Sequence, residues 1–354
     1  MGKNIVAITF GGNVAVAGLI AVAPNGRNLV LAKTSISFND FAGEQKKLFG
    51  ELLANLNSAT NLNYDKIIVG VPASKTAITV ISASLKSEKP RKITQKDKLN
   101  LLKTVKPDAD ALKTQTILGK FPLCWQVDNG APTGNPEGSV ASKLEVVASV
   151  TTAKTEFLSG IMEAFVGLTR VPIEFAAASV FEMQYLIDKQ TRDNGCAVIL
   201  NGYNATSLAQ VMCDGIISLE TVEMGLKDVI DDIKVVMNTN DAAAKSLAKE
   251  ALLSIKVASN DNYIAGGTKF PCKIINDVIT ARLEVICEKL APIAADVFDD
   301  EHKIFIAGGQ IDAIYGAKNF LAKTLNIKLE TLRDPLTNDL KYAETSFHAL
   351  VKAI

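Results

Sequence analysis

At 354 residues the chain is too long for one ordinary core, which predicts two lobes. Hydrophobic residues make up 48% and charged residues 21%, a balance that excludes an intrinsically disordered chain. Lys plus Arg and Asp plus Glu number 38 each, so no net field draws the chain onto nucleic acid or anionic lipid.

The first stretch, Asn4 to Ala23, is apolar enough to suggest a membrane span. Gly11-Gly12-Asn13 interrupts it, and Pro24-Asn25-Gly26-Arg27 follows at once. Turn residues in those places predict two buried strands, a glycine turn between them, and a hairpin into a third strand, Asn28 to Ile36. A helix is expected over Ala42 to Asn57, with Leu48, Leu52, Leu53 and Leu56 on one face. Lys66 to Val71 reads as a short strand covered on both faces. Thr76 to Leu85 alternates as a strand should, and Ser87 to Arg91, with Pro90, reads as a polar break and boundary. Thr94 then caps a helix running to Leu102, with Asp97 at its third position. Strands at Leu118 to Asp128 and Leu144 to Thr151 flank a Gly/Pro loop, and a helix spans Thr155 to Val166. Residues 84–168 therefore form a small inserted α/β subdomain.

The second half repeats the opening theme. Cys196 to Leu200, Ser207 to Met212 and Ile216 to Val222 read as strands, joined by Asn201-Gly202-Tyr203-Asn204 and Asp214-Gly215 turns. Helices are expected over Asp241 to Lys256 and Lys273 to Asp296. Lys303 to Ala307 reads as a last buried strand, followed by Gly308-Gly309, a helix from Ala313 to Leu325, and a closing helix from Tyr342 to Ile354. Five scattered cysteines without a CxxC pair suit a reducing compartment, and two distant histidines give no zinc spacing.

Tight glycine turns between strands let backbone N–H groups approach phosphate, and a strand-to-helix Gly-Gly step can back an adenosine. Each such turn is equally an ordinary hairpin. The inserted segment is more specific. Val127-Asp128, Asn135-Pro136-Glu137-Gly138 and Leu144-Glu145-Val146 resemble the inserted subdomain of the bacterial cell-division protein family FtsA, of the actin/Hsp70 superfamily. Ile93 to Asp97, Glu174 to Val180, Met224-Gly225 with Asp232-Ile233, Ile304 to Gly316, and Arg333-Asp334-Pro335 (as a following strand) are similar to other stretches of that family, in order along the chain.

The resemblance implies an α/β, two-lobed actin-like fold, a duplicated ribonuclease H-like core with the small insert in the first lobe. It divides the chain at 1–83, 84–168 (insert), 169–194, 195–234, 235–300 (a smaller second-lobe subdomain), 301–340 and 341–354. It also implies a nucleotide site at Gly11, Gly12, Asn13, Gly202, Asn204, Thr206, Gly308, Gly309 and Gln310, with Lys256 on a helix beside it. Two departures bear on that site. Thr9 and Leu200 stand where the family's loops carry aspartates that help to hold Mg²⁺. Magnesium and hydrolysis are therefore not expected, while ATP either binds without them or the loops have become structural seams.

The resemblance further implies a cytoplasmic scaffold, not an enzyme. Residues 235–300 would bind the C-terminal tail of an FtsZ-like filament protein, and 84–168 would meet other division proteins or further copies of the chain. The sequence ends at Ile354 without a basic amphipathic anchor, so recruitment to the inner membrane face at a division site would need a partner. An alternative is a PilM-like assembly protein of a type IV pilus or secretion machine. A third, less favoured, is a sugar kinase or chaperone-type ATPase.

Overall fold

The computed structural model describes residues 3–23, 27–258, 260–294, 302–338 and 342–354. The Pro24 to Gly26 turn and the end of the helix expected to reach Asp296 lie outside them. The chain forms two compact units: Met1–Gly195 with Val211–Leu219 and Ser346–Ile354, and Cys196–Gln210 with Glu220–Thr345.

The first unit opens with β1 (Lys3–Gly11), β2 (Val14–Val22) and β3 (Asn28–Ser37), then helix α1 (Phe41–Thr60) and β4 (Lys66–Val71). The apolar run that resembles a membrane span is thus a buried antiparallel pair, Ile5 opposite Ile20 and Gly11 opposite Val14. No helix among the described residues is long and apolar enough to cross a membrane. The insert follows: β5 (Thr76–Lys92), α2 (Gln95–Thr104), β6 (Gln115–Val127) and β7 (Val140–Lys154). Then come α3 (Thr155–Ala164), β8 (Ile173–Ala177), α4 (Ala178–Leu186) and α5 (Lys189–Asp193). The main sheet has the order β3-β2-β1-β4-β8, and β4 and β8 run parallel to β1. Leu48, Phe49, Leu52 and Phe165 cover one side of it, against Val6, Ile8, Ala17 and Val69.

The insert is a three-stranded antiparallel sheet, β5-β7-β6, covered on one side by α2. One expectation fails here. Ser87 to Arg91 does not end a strand: β5 continues to Lys92, and the register jumps between Lys86 and Arg91. The turn-forming residues make a bulge, which the Ser87 hydroxyl closes by donating to the Lys89 carbonyl at 2.9 Å. At the start of α2, the Thr94 Oγ1 accepts from the Asp97 N–H while Asp97 accepts from the Thr94 N–H, completing the expected capping box.

The remaining elements are β9 (Cys196–Asn201), β10 (Thr206–Met212), β11 (Gly215–Val222), α6 (Leu226–Val236), α7 (Asp241–Glu250), β12 (Asn262–Ala265), β13 (Thr268–Pro271), α8 (Cys272–Ala294), β14 (Lys303–Ala307), α9 (Ala317–Thr324), β15 (Leu329–Thr331) and α10 (Tyr342–Ala353). The second large sheet has the order β11-β10-β9-β14-β15, with β14 and β15 parallel to β9. This is the strand order of the first sheet, so the duplication suspected from the glycine turns is present in the topology. Val229, Ile230 and Ile233 of α6 join Ile275, Ile279, Leu283 and Ile286 of α8 in the core of the second unit.

Three further expectations are corrected in this unit. The helix expected to reach Lys256 stops at Glu250, because tertiary bonds capture the next backbone groups. The Leu252 N–H donates to the Tyr263 hydroxyl at 2.8 Å, and the Leu253 N–H to the Tyr315 carbonyl at 2.9 Å. The helix expected from Ala313 begins at Ala317, since Gly316 at φ 90° breaks the backbone before it. The strand expected at Arg333-Asp334-Pro335 lies earlier, at β15, and the Asp334 carboxylate instead accepts from the Leu336 N–H in a turn.

Candidate functional site

In the first unit the residues at the first loop position form a two-residue turn. Gly12 takes φ 67°, a conformation that favours glycine, and the Asn13 carbonyl accepts from the Phe38 N–H at 2.9 Å. Gly11, Gly12 and Asn13 are half-buried at the end of β1 and β2. Thr9, three residues before Gly12, is fully buried. Its methyl sits where a side chain on Gly70 would touch it at 3.1 Å, with Ala178 and Leu350 close by. Position 9, where the resemblance points to a metal-holding carboxylate, is therefore packed into the interior of the unit. Phe10 stacks on Phe41, ring centroids 4.4 Å apart, which closes the opposite side of β1.

In the second unit the other two loops are tied together by one side chain. Asn201, the last residue of β9, is fully buried. Its Nδ2 donates to the Ala307 carbonyl at 2.7 Å, and its Oδ1 accepts from the Ile311 N–H at 2.7 Å and the Gln310 and Asp312 N–H groups at 3.3 Å each. The Gly308-Gly309-Gln310 loop is thus folded around Asn201. Gly308 has φ 133° and leaves no room for a side chain, which would collide with the Asn201 carbonyl oxygen. Asp312 turns inward too, accepting from the Gln310 N–H at 3.0 Å, and burial pushes its carboxyl above the usual range.

The loop of Gly202, Tyr203 and Asn204 is closed in the same manner. The Gly202 N–H donates to the Ala205 carbonyl at 2.8 Å. The Gly202 and Tyr203 carbonyls accept from the Leu226 and Lys227 N–H groups, at 3.2 and 2.8 Å, at the start of α6. The Gly225 N–H donates to the Asp228 carboxylate at 2.8 Å. This close approach needs glycine at 225, where a Cβ would lie 2.5 Å from both loop carbonyl oxygens. A helix start is an anion site when its first N–H groups are open. Here the loop and Asp228 take those donors. Thr206 is buried and its hydroxyl donates to the Met224 carbonyl at 2.8 Å.

The structure therefore places Gly202, Thr206, Gly308, Gly309 and Gln310 in one unit, with the Gly308–Gln310 loop held on Asn201. Asn204 is exposed at the turn. Lys256 is exposed in the irregular segment beyond α7, not on a helix as expected. Leu200 is buried at the end of β9 and offers no donor atom to a cation. As a set, these residues do not fit a magnesium ion held through paired carboxylates. Asn201, Gly225 and Asp228 are the site residues that sequence reasoning missed. Asn201 was legible only as a turn residue, whereas Gly225 and Asp228 carry a helix-start spacing of a glycine followed three positions later by an acid. A depression of about 350 Å³ lined by Thr221, Val222, Glu223, Met224 and Lys289 contains none of the predicted site residues.

No protein-family model and no curated protein sequence matches the chain. Solved structures do resemble it. A structure described as the PilM-PilN type IV pilus biogenesis complex superposes with a TM-score of 0.62 at 15% identity, covering 99% of this chain and 97% of that one. MreB5 of Spiroplasma citri bound to ADP gives a TM-score of 0.55 at 10% identity, covering 99% and 97%. The ethanolamine utilization protein EutJ of Carboxydothermus hydrogenoformans gives 0.50 at 10% identity, covering 95% and 86%. The chain has an actin-like fold, built of two mixed α/β units with matching sheets.

Proposed function

We propose that the chain is a scaffold of an assembly machine, with a part like that of PilM in a type IV pilus biogenesis complex, and that it works without nucleotide turnover. The observation that carries this reading is the internal bonding of the loop donors. The N–H groups of Gly202, Gln310 and Ile311 and of the first residues of α6 bond to the chain's own oxygens. A phosphate would have to displace those bonds one by one. Thr9 and Leu200 remove the carboxylates through which Mg²⁺ would bring charge to a phosphoryl group. The fold likeness to the PilM-PilN structure, at a TM-score of 0.62, supports this role.

A second reading is an FtsA-like scaffold that links FtsZ-type filaments to other division proteins. The insert's motif pieces favour it, and they have a physical role. Asp128 Oδ1 accepts from the Ser142 and Lys143 N–H groups, and Asn135 Oδ1 from the Glu137 N–H and the Lys98 ammonium, so both shape the loops of the insert. In either role partners would bring the chain to the inner face of a membrane.

Calorimetric titration with ATP, with and without Mg²⁺, beside a steady-state ATPase assay, tests the scaffold reading. No saturable heat and no turnover above buffer are expected. Magnesium-dependent binding with turnover would overturn it. Titration with a PilN-type protein and with an FtsZ-type C-terminal tail separates the two roles.

A further inference from the structure

In α1, α5, α6 and α7 a surface lysine pairs with an acid one turn away: Lys47 with Glu51, Lys189 with Asp193, Lys227 with Asp231, and Lys245 with Asp241. Helix α2 differs. Its one acid, Asp97, is turned inward, where Arg91 holds it through two hydrogen bonds at 2.7 and 2.9 Å and the Thr94 hydroxyl through a third at 2.6 Å. That partnership holds the Asp97 carboxyl well below the usual carboxylate range. No acid of the helix remains to face solvent. Lys96, Asn100 and Lys103 stand on its outer side with Leu99, which is 51% exposed.

The surroundings continue the pattern. Lys92 is exposed just before the helix, and Lys106 just after it. Lys120 donates to the Lys103 carbonyl at 2.8 Å. The acids of the neighbouring loop are engaged locally: Asp108 accepts from the Ala111 N–H, and Asp110 pairs with Lys113. Over residues 76–154 there are twelve Lys and Arg against seven Asp and Glu, in a chain with 38 of each, so this segment carries the positive excess that the rest of the chain offsets.

We propose that the outer face of α2, Lys96, Leu99 and Lys103 with Lys92 and Lys106 at its ends, is a docking surface for an acidic segment of a partner protein. Charge complementarity selects the occupant. Lys96 and Lys103 lie seven residues apart, roughly 10 Å along the helix, with Leu99 between them. An acidic segment with one apolar side chain between its carboxylates matches that arrangement. A lipid surface is the poorer match, because interfacial helices bind through a broad apolar face and α2 exposes a single large apolar residue. Salt-sensitive, fast association is the expected behaviour of such a surface. The inference stands apart from which assembly machine the scaffold serves and from its nucleotide chemistry.

The test uses the full chain and a short fluorescein-labelled peptide of alternating Glu and Leu, followed by fluorescence anisotropy across a NaCl series. Saturable binding that weakens with salt is expected, and Lys96→Glu with Lys103→Glu should weaken it by roughly tenfold or more. Leu99→Ser alone should weaken it less. Lys318→Glu with Lys323→Glu, on the acid-free helix α9 of the other unit, should leave it unchanged. Circular dichroism melts confirm that the variants fold, and a variant that does not fold is replaced by Lys→Gln at the same positions. Absence of saturable binding, survival of binding in the α2 variants, or equal loss in the α9 control would each overturn the proposal. Binding to phosphatidylserine vesicles in place of the peptide would overturn it in favour of a lipid surface.

Discussion

Asn201 supports the second unit's loops through hydrogen bonds that no neighbouring side chain replaces. Truncation to Ala would leave the Ala307 carbonyl and the Ile311 N–H without their partner inside the protein. A buried orphan of this kind costs about 1–3 kcal/mol, so Asn201→Ala should lower stability by on the order of 3 kcal/mol in urea denaturation. A loss of only a few tenths would show that the loop holds itself. Glu182 presents the opposite situation, a buried acid with too little support. It lies in α4 at 3% exposure, and the Ser346 hydroxyl donates to its Oε1. Burial raises the carboxyl to about 7, with the hydrogen bond from Ser346 opposing that shift. The sign is unusual for an acid. Below the unfolded pKa both states hold the proton and nothing is lost. As pH rises from there through about 7, the unfolded chain releases its proton first, so folding is progressively disfavoured, by on the order of 3 kcal/mol. Thermal melts between about pH 5 and 8 should therefore show wild type losing stability as pH rises, and Glu182→Gln should flatten that slope.

Among the elements, legibility followed the locality of the forces. The start of α2 could be read because its capping box involves only Thr94 and Asp97, three residues apart. Thr94→Ala should accordingly cost about 1 kcal/mol, seen as a lower denaturation midpoint at unchanged slope. The buried strands β1, β4, β9 and β14 were equally plain, as continuous apolar runs closed by turn residues. Errors arose where distant groups decided. Pro90 and Ser87 look like a strand end, yet β7 pairs on both sides of them and reduces them to a bulge. The run from Asp241 has helical sequence past Glu250, but Tyr263 and Tyr315 take the backbone groups that the next turn would need. The hairpin of β12 and β13 was missed because each strand is only four residues long, too short for a period to show.

For the molecule as a whole, the glycine turns identified the repeated sheet and left open whether its loops hold a nucleotide or serve as structural seams. Positive φ at Gly12, Gly308 and Gly309 is present, as phosphate loops would also require. What the sequence could not reveal is that in the second unit the donors after Gly309 return to Asn201, and those at the start of α6 to Gly202, Tyr203 and Asp228. What stands against a phosphate is therefore the bonding of the second unit's loops as well as the absence of acids at Thr9 and Leu200. That distinction has a measurable consequence. If the absent carboxylates alone stood against a nucleotide, Thr9→Asp with Leu200→Asp would allow some magnesium-dependent ATP hydrolysis. The packing argues otherwise. Thr9 is fully buried and Leu200 is 3% exposed, so each new carboxylate would enter an apolar interior. An unpaired charge there costs on the order of 4 kcal/mol, and the loop donors stay bonded as before. The double variant should melt well below wild type, show no magnesium-dependent ATPase activity, and gain no stability from added Mg²⁺ and ATP, because a ligand raises the melting point only by binding the folded state. Magnesium-dependent turnover with an unchanged melting temperature would mean that the loops can open and that the carboxylates alone are wanting.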